Sequence, residues 1–295
     1  MICELCPRNC HAIRTKSDGA GYCGMPELPC IARAAAHFGE EPCISGTRGS
    51  GAIFFAGCSL GCVFCQNGVI SHNRGGRAVS AEELRAIMRQ LESSGVHNIN
   101  LVTGSHFAVE IAKALESPLS VPVVYNCGGY ESEKTLDLLR GKIQIYMPDL
   151  KFLDNSLSSR YCHCPNYPEV ATSAILRMYE QTGPYVLDED GIMKSGVMIR
   201  HLIMPGAVKN TKRVIDWVRE SFGDGEILFS LMSQYTPINC EGFPEINRPI
   251  SRREYDMCEQ YLFDSGFEDG FLQDFGTNGT EFIPNFDLTG KNLTI

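Results

Sequence analysis

The sequence lacks the features of a membrane-spanning or exported protein. Its longest apolar window, residues 52–63, is interrupted by glycine and cysteine and falls short of the about 20 residues that a membrane helix needs. The first residues carry neither the basic patch nor the apolar stretch of a secretory signal. With 43% hydrophobic and 21% charged residues, the 295-residue chain has the composition of a globular protein. We therefore expect a cytoplasmic protein without a membrane partner.

Basic residues are also scarce. The 26 Lys and Arg residues are outnumbered by 35 Asp and Glu residues, and the net charge of −9 opposes binding to nucleic-acid phosphates. We expect no nucleic-acid partner. Residues 251–295 hold nine acidic and three basic side chains. This acidic C-terminal segment favours a solvated face, with contact to a basic protein surface as the alternative.

Internal repeats are absent, and short apolar segments alternate with amphipathic ones instead. Apolar runs of strand length predict strands at 52–56, 98–103, 122–125, 143–147, 197–204 and 227–231. Helical patterns predict helices at 80–91, 106–115, 131–139, 169–180, 211–221 and 252–263. Ser80 and Glu83 form a capping-box pattern at the start of the first helix. The alternation predicts an α/β fold, a barrel or partial barrel whose functional residues follow the strands.

Fourteen cysteines are many for a chain in the reducing cytosol, so metal binding is the natural explanation. Cys58, Cys62 and Cys65 directly follow the first predicted strand. Zinc and iron–sulfur clusters both take thiolate ligands, but a structural zinc site takes four. Three thiolates without an obvious fourth therefore favour a cluster that keeps one iron open.

The same segment has two other interpretations. Three cysteines in a tight turn can simply be buried, as free cysteines often are. Residues 57–61 also match the G-x-S-x-G pattern of serine hydrolases, with Asp149 and His201 downstream in the required order. That pattern needs a helix directly after Ser59, and the following cysteines and the turn-forming residues 67–68 argue against one.

Residues 1–48 have no sustained periodicity and are rich in cysteine, glycine and proline. They predict a small Cys-rich metal-binding extension that precedes a larger domain at 49–295. Four of its cysteines could hold zinc or a second [4Fe-4S] cluster, and their spacing does not choose between the two: Cys3, Cys6, Cys10 and Cys23.

Two further patterns contain metal-ligating or charged residues. His37 with Glu40 and Glu41 indicates either a salt bridge in a turn or a substrate contact. Residues 162–164 read Cys-His-Cys, which looks like a metal site, but the following Pro165 favours a loop in solvent.

The C-x3-C-x2-C triplet, with an aromatic residue before its last cysteine, resembles the motif of the radical S-adenosylmethionine (radical SAM) superfamily. Further segments resemble a branch related to the pyruvate formate-lyase activating enzyme: residues 51–55, 65–67, 148–151, 200–206 and 232–235. The resemblance covers essentially the whole chain. It implies a partial (β/α)6 barrel over 49–295 and a [4Fe-4S] cluster on Cys58, Cys62 and Cys65, with S-adenosyl-L-methionine (SAM) chelating the fourth iron.

The resemblance also implies an activity. Reductive cleavage of SAM would give a 5′-deoxyadenosyl radical, which removes a hydrogen atom from a substrate, with a flavodoxin- or ferredoxin-like protein as electron donor. The leading expectation for the substrate is a glycine of a partner enzyme, which becomes a glycyl radical. Radical modification of a small molecule or another macromolecule is the alternative, and a non-catalytic iron–sulfur or zinc protein is the alternative of another class.

Five strand-end or loop residues are candidate SAM contacts. By the resemblance, Asn67 lies near SAM and Gln234 lies near its adenosine. Lys151 is expected to neutralise the SAM carboxylate, and Asp149 to accept a hydrogen bond or help to hold a cation. Arg200 lies in an otherwise apolar strand and needs an acidic partner, which a cofactor carboxylate would provide.

The chain departs from the activating enzymes after two strands. Their second strand ends in Gly-Gly-Glu, whose glutamate helps to bind the amino group of SAM, whereas residues 103–106 read Thr-Gly-Ser-His. Ser105 or His106 is the expected substitute. After the third strand Asn126 is the candidate in place of an aspartate. His201 is expected to be a hydrogen-bonded packing residue rather than a ligand.

Overall fold

The computed structural model describes residues 2–73, 75–277, 279, 284 and 286. Its strands are β1 (Cys30–His37), β2 (Ser50–Phe55), β3 (Arg77–Ala78), β4 (Ile99–Val102), β5 (Val123–Cys127), β6 (Ile145–Pro148), β7 (Val186–Leu187), β8 (Met193–Leu202), β9 (Leu228–Met232) and β10 (Gly270–Leu272). Its α-helices are α1 (Pro42–Ser45), α2 (Gly68–Asn73), α3 (Ala81–Ser93), α4 (Ala108–Ala114), α5 (Glu133–Leu139), α6 (Asn155–Cys162), α7 (Tyr167–Thr182), α8 (Val208–Ser221) and α9 (Arg252–Asp264). A 3₁₀ turn, Ser105–Phe107, precedes α4.

The sheet is mostly parallel and runs in the order β10-β9-β8-β6-β5-β4-β2-β1-β3. Each neighbouring pair from β10 to β2 is parallel, whereas β1 is antiparallel to β2 and β3 is antiparallel to β1. Every residue of β2, β4, β5 and β6 is buried, as expected for parallel strands that are covered on both faces. The predicted α/β fold with a partial barrel is thus confirmed.

Helix α3 illustrates how the sequence determines these elements. Ser80 and Glu83 exchange side-chain and backbone hydrogen bonds in the predicted capping box. Leu84, Met88 and Leu91 recur at helical spacing on one face and are buried in the main core.

Strand β1 was not predicted, because residues 1–48 show no periodic pattern in the sequence. It nevertheless forms the strand next to β2 in the common sheet, with Ala34 opposite Ile53 and His37 opposite Ser50. Residues 1–48 thus contain a strand that their sequence pattern does not reveal, and the domain boundary at residue 48 stays a prediction. None of the helices in the described ranges is long and apolar enough to cross a membrane.

Candidate active site

The carboxyl ends of the parallel strands open into one cavity, with about 1230 Å³ of empty space when its mouth is included. The three motif cysteines and all seven predicted SAM contacts line it: Cys58, Cys62, Cys65, Asn67, Ser105, Asn126, Asp149, Lys151, Arg200 and Gln234. The structure therefore brings together residues that are dispersed over most of the sequence.

The cysteine loop, residues 57–67, connects β2 to α2. Gly57 and Gly61 adopt positive φ angles of 77° and 66°, which glycine allows without steric cost, and they turn the backbone around the thiols. Burial raises the pKa of Cys58 to about 12, and the neighbouring Cys62 and Cys65 add to this rise. The three thiols are therefore close enough to influence each other's ionisation.

Two motif thiols also receive hydrogen bonds from neighbouring groups. The backbone N–H of Leu60 donates to the sulfur of Cys58 at 3.3 Å, and the hydroxyl of Ser71 donates to the sulfur of Cys65 at 3.5 Å. Such donors orient and stabilise thiolate ligands. Three thiols that line one cavity, with Cys62 buried and Cys58 and Cys65 half-buried, fit an iron–sulfur cluster that keeps one iron open.

The hydrolase interpretation is wrong. A nucleophile elbow requires a helix directly after Ser59, but the next helix, α2, begins only at Gly68. His201 is occupied elsewhere: its ring nitrogens lie 2.6 Å from the Leu150 carbonyl oxygen and 3.0 Å from the Thr211 hydroxyl. It is a buried, hydrogen-bonded packing residue, as predicted.

The guanidinium of Arg200, in β8, contacts three side chains at the cavity wall. It donates to Glu40 at 2.9 Å, to Asp149 at 3.0 Å and to Asn126 at 2.7 Å. The side chains of Arg200 and Glu40 are only 12% and 9% exposed. A cation this deeply buried requires acidic partners. The protein itself provides them, so a cofactor carboxylate is not needed to balance the charge of Arg200.

Asp149 and Lys151 follow β6 and form an ion pair at 2.6 Å, with each side chain 19% exposed. Although burial opposes the ionisation of Asp149, the charges of Lys151 and Arg200 keep the pKa of its carboxyl below the ordinary value. The pair is partly buried and belongs to the Arg200 network. It is therefore not an exposed ion pair of the kind that contributes little to stability.

Glu131 also lines the cavity, although no sequence pattern marked it as a site residue. It follows β5 in the loop before α5, is 4% exposed, and accepts hydrogen bonds from the Ser105 hydroxyl at 2.5 Å and the Tyr125 hydroxyl at 3.1 Å. Burial raises its pKa to about 7, against the opposing effect of these hydrogen bonds. A carboxyl group thus lies beside Ser105, where the Gly-Gly-Glu pattern is missing.

The remaining candidate SAM contacts differ in whether they line the cavity. His106 is buried, with Nε2 2.8 Å from the Ala56 carbonyl oxygen. Gln234 reaches the cavity wall and accepts a hydrogen bond from the Gln273 side chain at 3.1 Å. Asn67 lines the cavity next to the cysteine loop. Of the two residues proposed to replace the glutamate, only Ser105 faces the cavity.

Glu40 is the second site residue that the sequence did not assign. Its carboxylate binds Arg200 and also accepts hydrogen bonds from the amides of Asn100 at 2.9 Å and Asn126 at 3.2 Å. Glu40 therefore forms a salt bridge, but with Arg200 of the distant strand β8 at the cavity wall and not within a turn, as one interpretation had it.

Cys162 and Cys164 are not in a solvent-exposed loop, as the sequence predicted. Both are buried, and the sulfur of Cys162, the last residue of α6, lies 3.2 Å from that of Cys62. The prediction failed because the packing of α6 against the cysteine loop is a contact between distant parts of the chain.

In the extension, Cys3 and Cys6 are buried, Cys23 is half-buried and Cys10 is exposed. Burial raises the pKa of Cys6 to about 12, with smaller contributions from Cys23 and Cys3, so these thiols are neighbours. Over the described residues as a whole, no three His, Cys, Asp or Glu side chains are close enough together to hold a single metal ion.

Comparisons with known proteins agree with this geometry. The model of the Radical SAM superfamily matches residues 52–187. The uncharacterized protein MJ0674 of Methanocaldococcus jannaschii is 27% identical over 278 residues, which cover 89% of this chain and 75% of that protein.

Two solved structures share the fold. Streptococcus suis SuiB bound to S-adenosylmethionine has a TM-score of 0.51 at 17% identity, covering 79% of this chain and 52% of SuiB. Methylornithine synthase (PylB) has a TM-score of 0.50 at 16% identity, covering 73% of this chain and 62% of PylB. The chain thus spans about half the length of SuiB, and at these identities the likeness is one of fold.

Proposed function

We propose that the chain is a radical SAM enzyme, because the model of that superfamily matches residues 52–187, and that its cavity binds SAM beside a [4Fe-4S] cluster held by Cys58, Cys62 and Cys65. The observation that supports this proposal most strongly is the convergence of three thiols and seven polar strand-end or loop residues on one cavity. When bound, the cluster and SAM supply a one-electron cleavage and a radical for hydrogen-atom abstraction.

The charge of the cavity wall supports a positively charged ligand. The carboxylates of Glu40 and Asp149 balance the two cations of Lys151 and Arg200 at the cavity wall, and ionisation of Glu131, whose pKa is about 7, adds a surplus negative charge. Thiolates that hold a metal add further negative charge. SAM carries a sulfonium and an ammonium group, so this surplus favours its binding.

We assign the ammonium group of SAM to Glu131. Ser105, the substitute expected from the sequence, donates its hydroxyl to the Glu131 carboxylate at 2.5 Å. The hydroxyl therefore orients the carboxylate, which is the group that carries charge. Asn67 and Gln234 are left to bind the remaining polar groups of the cofactor, in agreement with their place on the cavity wall.

For the substrate, we propose a glycine backbone of a partner enzyme, on which a stable radical would form, with a flavodoxin- or ferredoxin-like electron donor. Similarity of residues 51–55 and 200–206 to the activating-enzyme branch supports this choice. The related fold of PylB, whose name is that of a methylornithine synthase, keeps small-molecule chemistry as the alternative.

Anaerobic reconstitution tests the cofactor assignment. The expected product is a brown protein with about four irons at the motif site, which forms 5′-deoxyadenosine from SAM and dithionite. Cys65→Ala should abolish both iron binding at this site and product formation. Cys258→Ala is the matched control, because Cys258 is a buried cysteine in α9 on another part of the fold. A colourless wild-type protein that forms no 5′-deoxyadenosine would refute the proposal.

The substrate assignment needs a second experiment. Incubation of the reduced enzyme and SAM with candidate partner enzymes should give a stable organic radical, detected by electron paramagnetic resonance, on the partner. Conversion of a small molecule without any partner protein would refute this assignment and leave the cofactor assignment intact.

For the extension, we propose a second metal site on Cys3, Cys6, Cys10 and Cys23, because four thiols from one short segment would give a complete ligand set for zinc or a cluster once metal binding drew them closer together than they lie in this structure. Metal analysis of a triple Cys58, Cys62 and Cys65→Ala variant tests it. Residual iron would indicate a cluster and residual zinc a structural ion, whereas a metal-free variant would contradict the second site.

A further inference from the structure

We propose that Arg8, in the N-terminal extension, is a positioning residue for the cluster and raises its reduction potential through the peptide group between Ser59 and Leu60. The proposal rests on the cluster assignment above. By this proposal the extension acts directly on the cysteine loop. This effect is separate from that of any metal bound by the cysteines of the extension.

The guanidinium of Arg8 donates to four backbone carbonyl oxygens in two different parts of the chain. Nε donates to Ser59 at 2.8 Å and Nη2 to Leu60 at 3.0 Å, both between the first two motif cysteines. Nη1 donates to His163 at 2.6 Å, and Nη2 also to Cys162 at 3.0 Å. Arginine has five N–H donors in a planar fork, and this arrangement uses most of them.

The two contacts at residues 162 and 163 place the positive charge of Arg8 at the C-terminal end of α6. Carbonyl groups there have no partner within the helix, and the helix dipole makes this end negative. Arg8 therefore caps α6 and attaches the cysteine loop to it at the same time. The sulfurs of Cys62 and Cys162 also meet where the cysteine loop contacts the end of α6.

Tyr22 completes the attachment from the same extension. Its ring packs under the Arg8 guanidinium at 3.8 Å, and its hydroxyl donates to the Leu60 carbonyl at 3.2 Å. Gly61 lies directly beside it, and a Cβ atom there would lie 2.8 Å from the Tyr22 hydroxyl oxygen and displace it. Arg8 and Tyr22 thus hold the loop through its carbonyl oxygens.

The link to the cluster is the Ser59–Leu60 peptide group. Its carbonyl oxygen belongs to Ser59 and accepts from Arg8, whereas its N–H belongs to Leu60 and donates to the Cys58 sulfur at 3.3 Å. A peptide group is planar, so fixing the oxygen fixes the direction of the N–H. A positive donor on the oxygen also polarises the group and strengthens the N–H donor at its other end.

Hydrogen bonds to cluster sulfurs and nearby positive charge both stabilise the reduced, more negative state of an iron–sulfur cluster. Loss of Arg8 should therefore make the cluster harder to reduce. Arg8→Gln removes the charge, and Arg8→Lys keeps the charge but replaces the fork by one ammonium group. We expect both variants to have a lower potential than the wild type, with the larger shift in Arg8→Gln.

The test is a potentiometric titration of the reconstituted holoenzymes, followed by electron paramagnetic resonance. For Arg8→Gln we expect at least about a threefold lower ratio of reduced to oxidised cluster at a fixed potential, which corresponds to about 28 mV for one electron. Arg85→Gln is the matched control, because Arg85 also donates to two carbonyl oxygens, of Ala114 and Ser117, but at the end of α4. Its potential should equal that of the wild type.

Hydrogen exchange of the metal-free proteins supplies a second readout that needs no cluster. Amides of residues 58–65 should exchange faster in Arg8→Gln than in the wild type or in Arg85→Gln. Circular dichroism checks the fold, and loss of iron from a folded Arg8→Gln, with iron retained in Arg85→Gln, would also support the positioning role.

Two results would overturn the inference: a wild-type potential in Arg8→Gln, or unchanged exchange of residues 58–65. A wild-type protein that binds no cluster would instead refute the proposed function. In that case the exchange measurement still decides whether Arg8 holds the loop.

Discussion

The buried carboxyl of Glu131 should make the protein less stable as pH rises, and a single substitution should remove this pH dependence. In the folded protein burial raises its pKa from 4.5 to about 7. As pH rises between these values, the unfolded chain releases its proton first, so the folded state loses stability relative to it. The effect is fully expressed above about pH 7 and absent below about pH 4.5.

The magnitude follows from the two pKa values. Each pKa unit corresponds to 1.36 kcal/mol, so a rise of about 2.5 units corresponds to about 3 kcal/mol of unfolding free energy. Glu131→Gln cannot titrate, yet retains an oxygen acceptor for Ser105 or Tyr125. Its stability relative to the wild type should therefore increase by about 3 kcal/mol from about pH 4 to about pH 8.

Urea unfolding of the metal-free wild type and variant across this pH range measures the difference. Subtracting one curve from the other removes the contributions of His106 and His201, whose pKa values are both lowered to about 4 by burial. Glu254→Gln is a control of opposite sign, because hydrogen bonding to Arg248 lowers the pKa of Glu254. Its wild-type contribution is present at neutral pH and disappears as pH falls. A pH-independent difference for Glu131→Gln would refute the reasoning.

Two further predictions concern the packing around the cavity. Arg200→Met should lower the unfolding free energy by about 3–5 kcal/mol in urea titrations, because it leaves Asp149 and Glu40 buried without their common cation; a loss below about 1 kcal/mol would contradict the network. Gly129→Ala and Gly141→Ala both place alanine at positive φ, at 77° and 73°, which costs about 1–2 kcal/mol. Of these two positions, only Gly129 would place the new Cβ close to a backbone oxygen, that of Asp149, at 2.5 Å. Gly129→Ala should therefore lower the unfolding free energy by about 1–3 kcal/mol more than Gly141→Ala in the same titrations. Equal losses in the two variants would contradict this.

The repeating strands and helices could be predicted because their signals are local. The capping box at Ser80 and Glu83 fixed the start of α3, and apolar runs located β2, β4, β5, β6, β8 and β9. Helix α6 was missed because its serine-rich sequence has low helix propensity. It forms because the Asp154 side chain caps its first turn and Arg8 binds its last carbonyls. Strand β1 likewise depends on pairing with β2.

The candidate site was predictable where residues immediately follow strands. The rule that parallel strands point their carboxyl ends toward one site brought Asp149 and Lys151 into consideration, and both line the cavity. Glu131 was missed because it lies several residues beyond β5, and only the turn at Gly128–Gly129 returns its carboxyl to Ser105. Glu40 was noticed, but its partner Arg200 is 160 residues away, a distance that no local pattern reveals.

The way in which Arg8 holds the cysteine loop has a consequence for how this protein family can diversify. All four oxygens that Arg8 contacts belong to the main chain, so the contact does not depend on which side chains occupy positions 59, 60, 162 and 163. Substitutions at those four positions therefore leave the acceptors of Arg8 in place. Homologues would then retain the arginine while showing no correlated substitutions at the residues it holds.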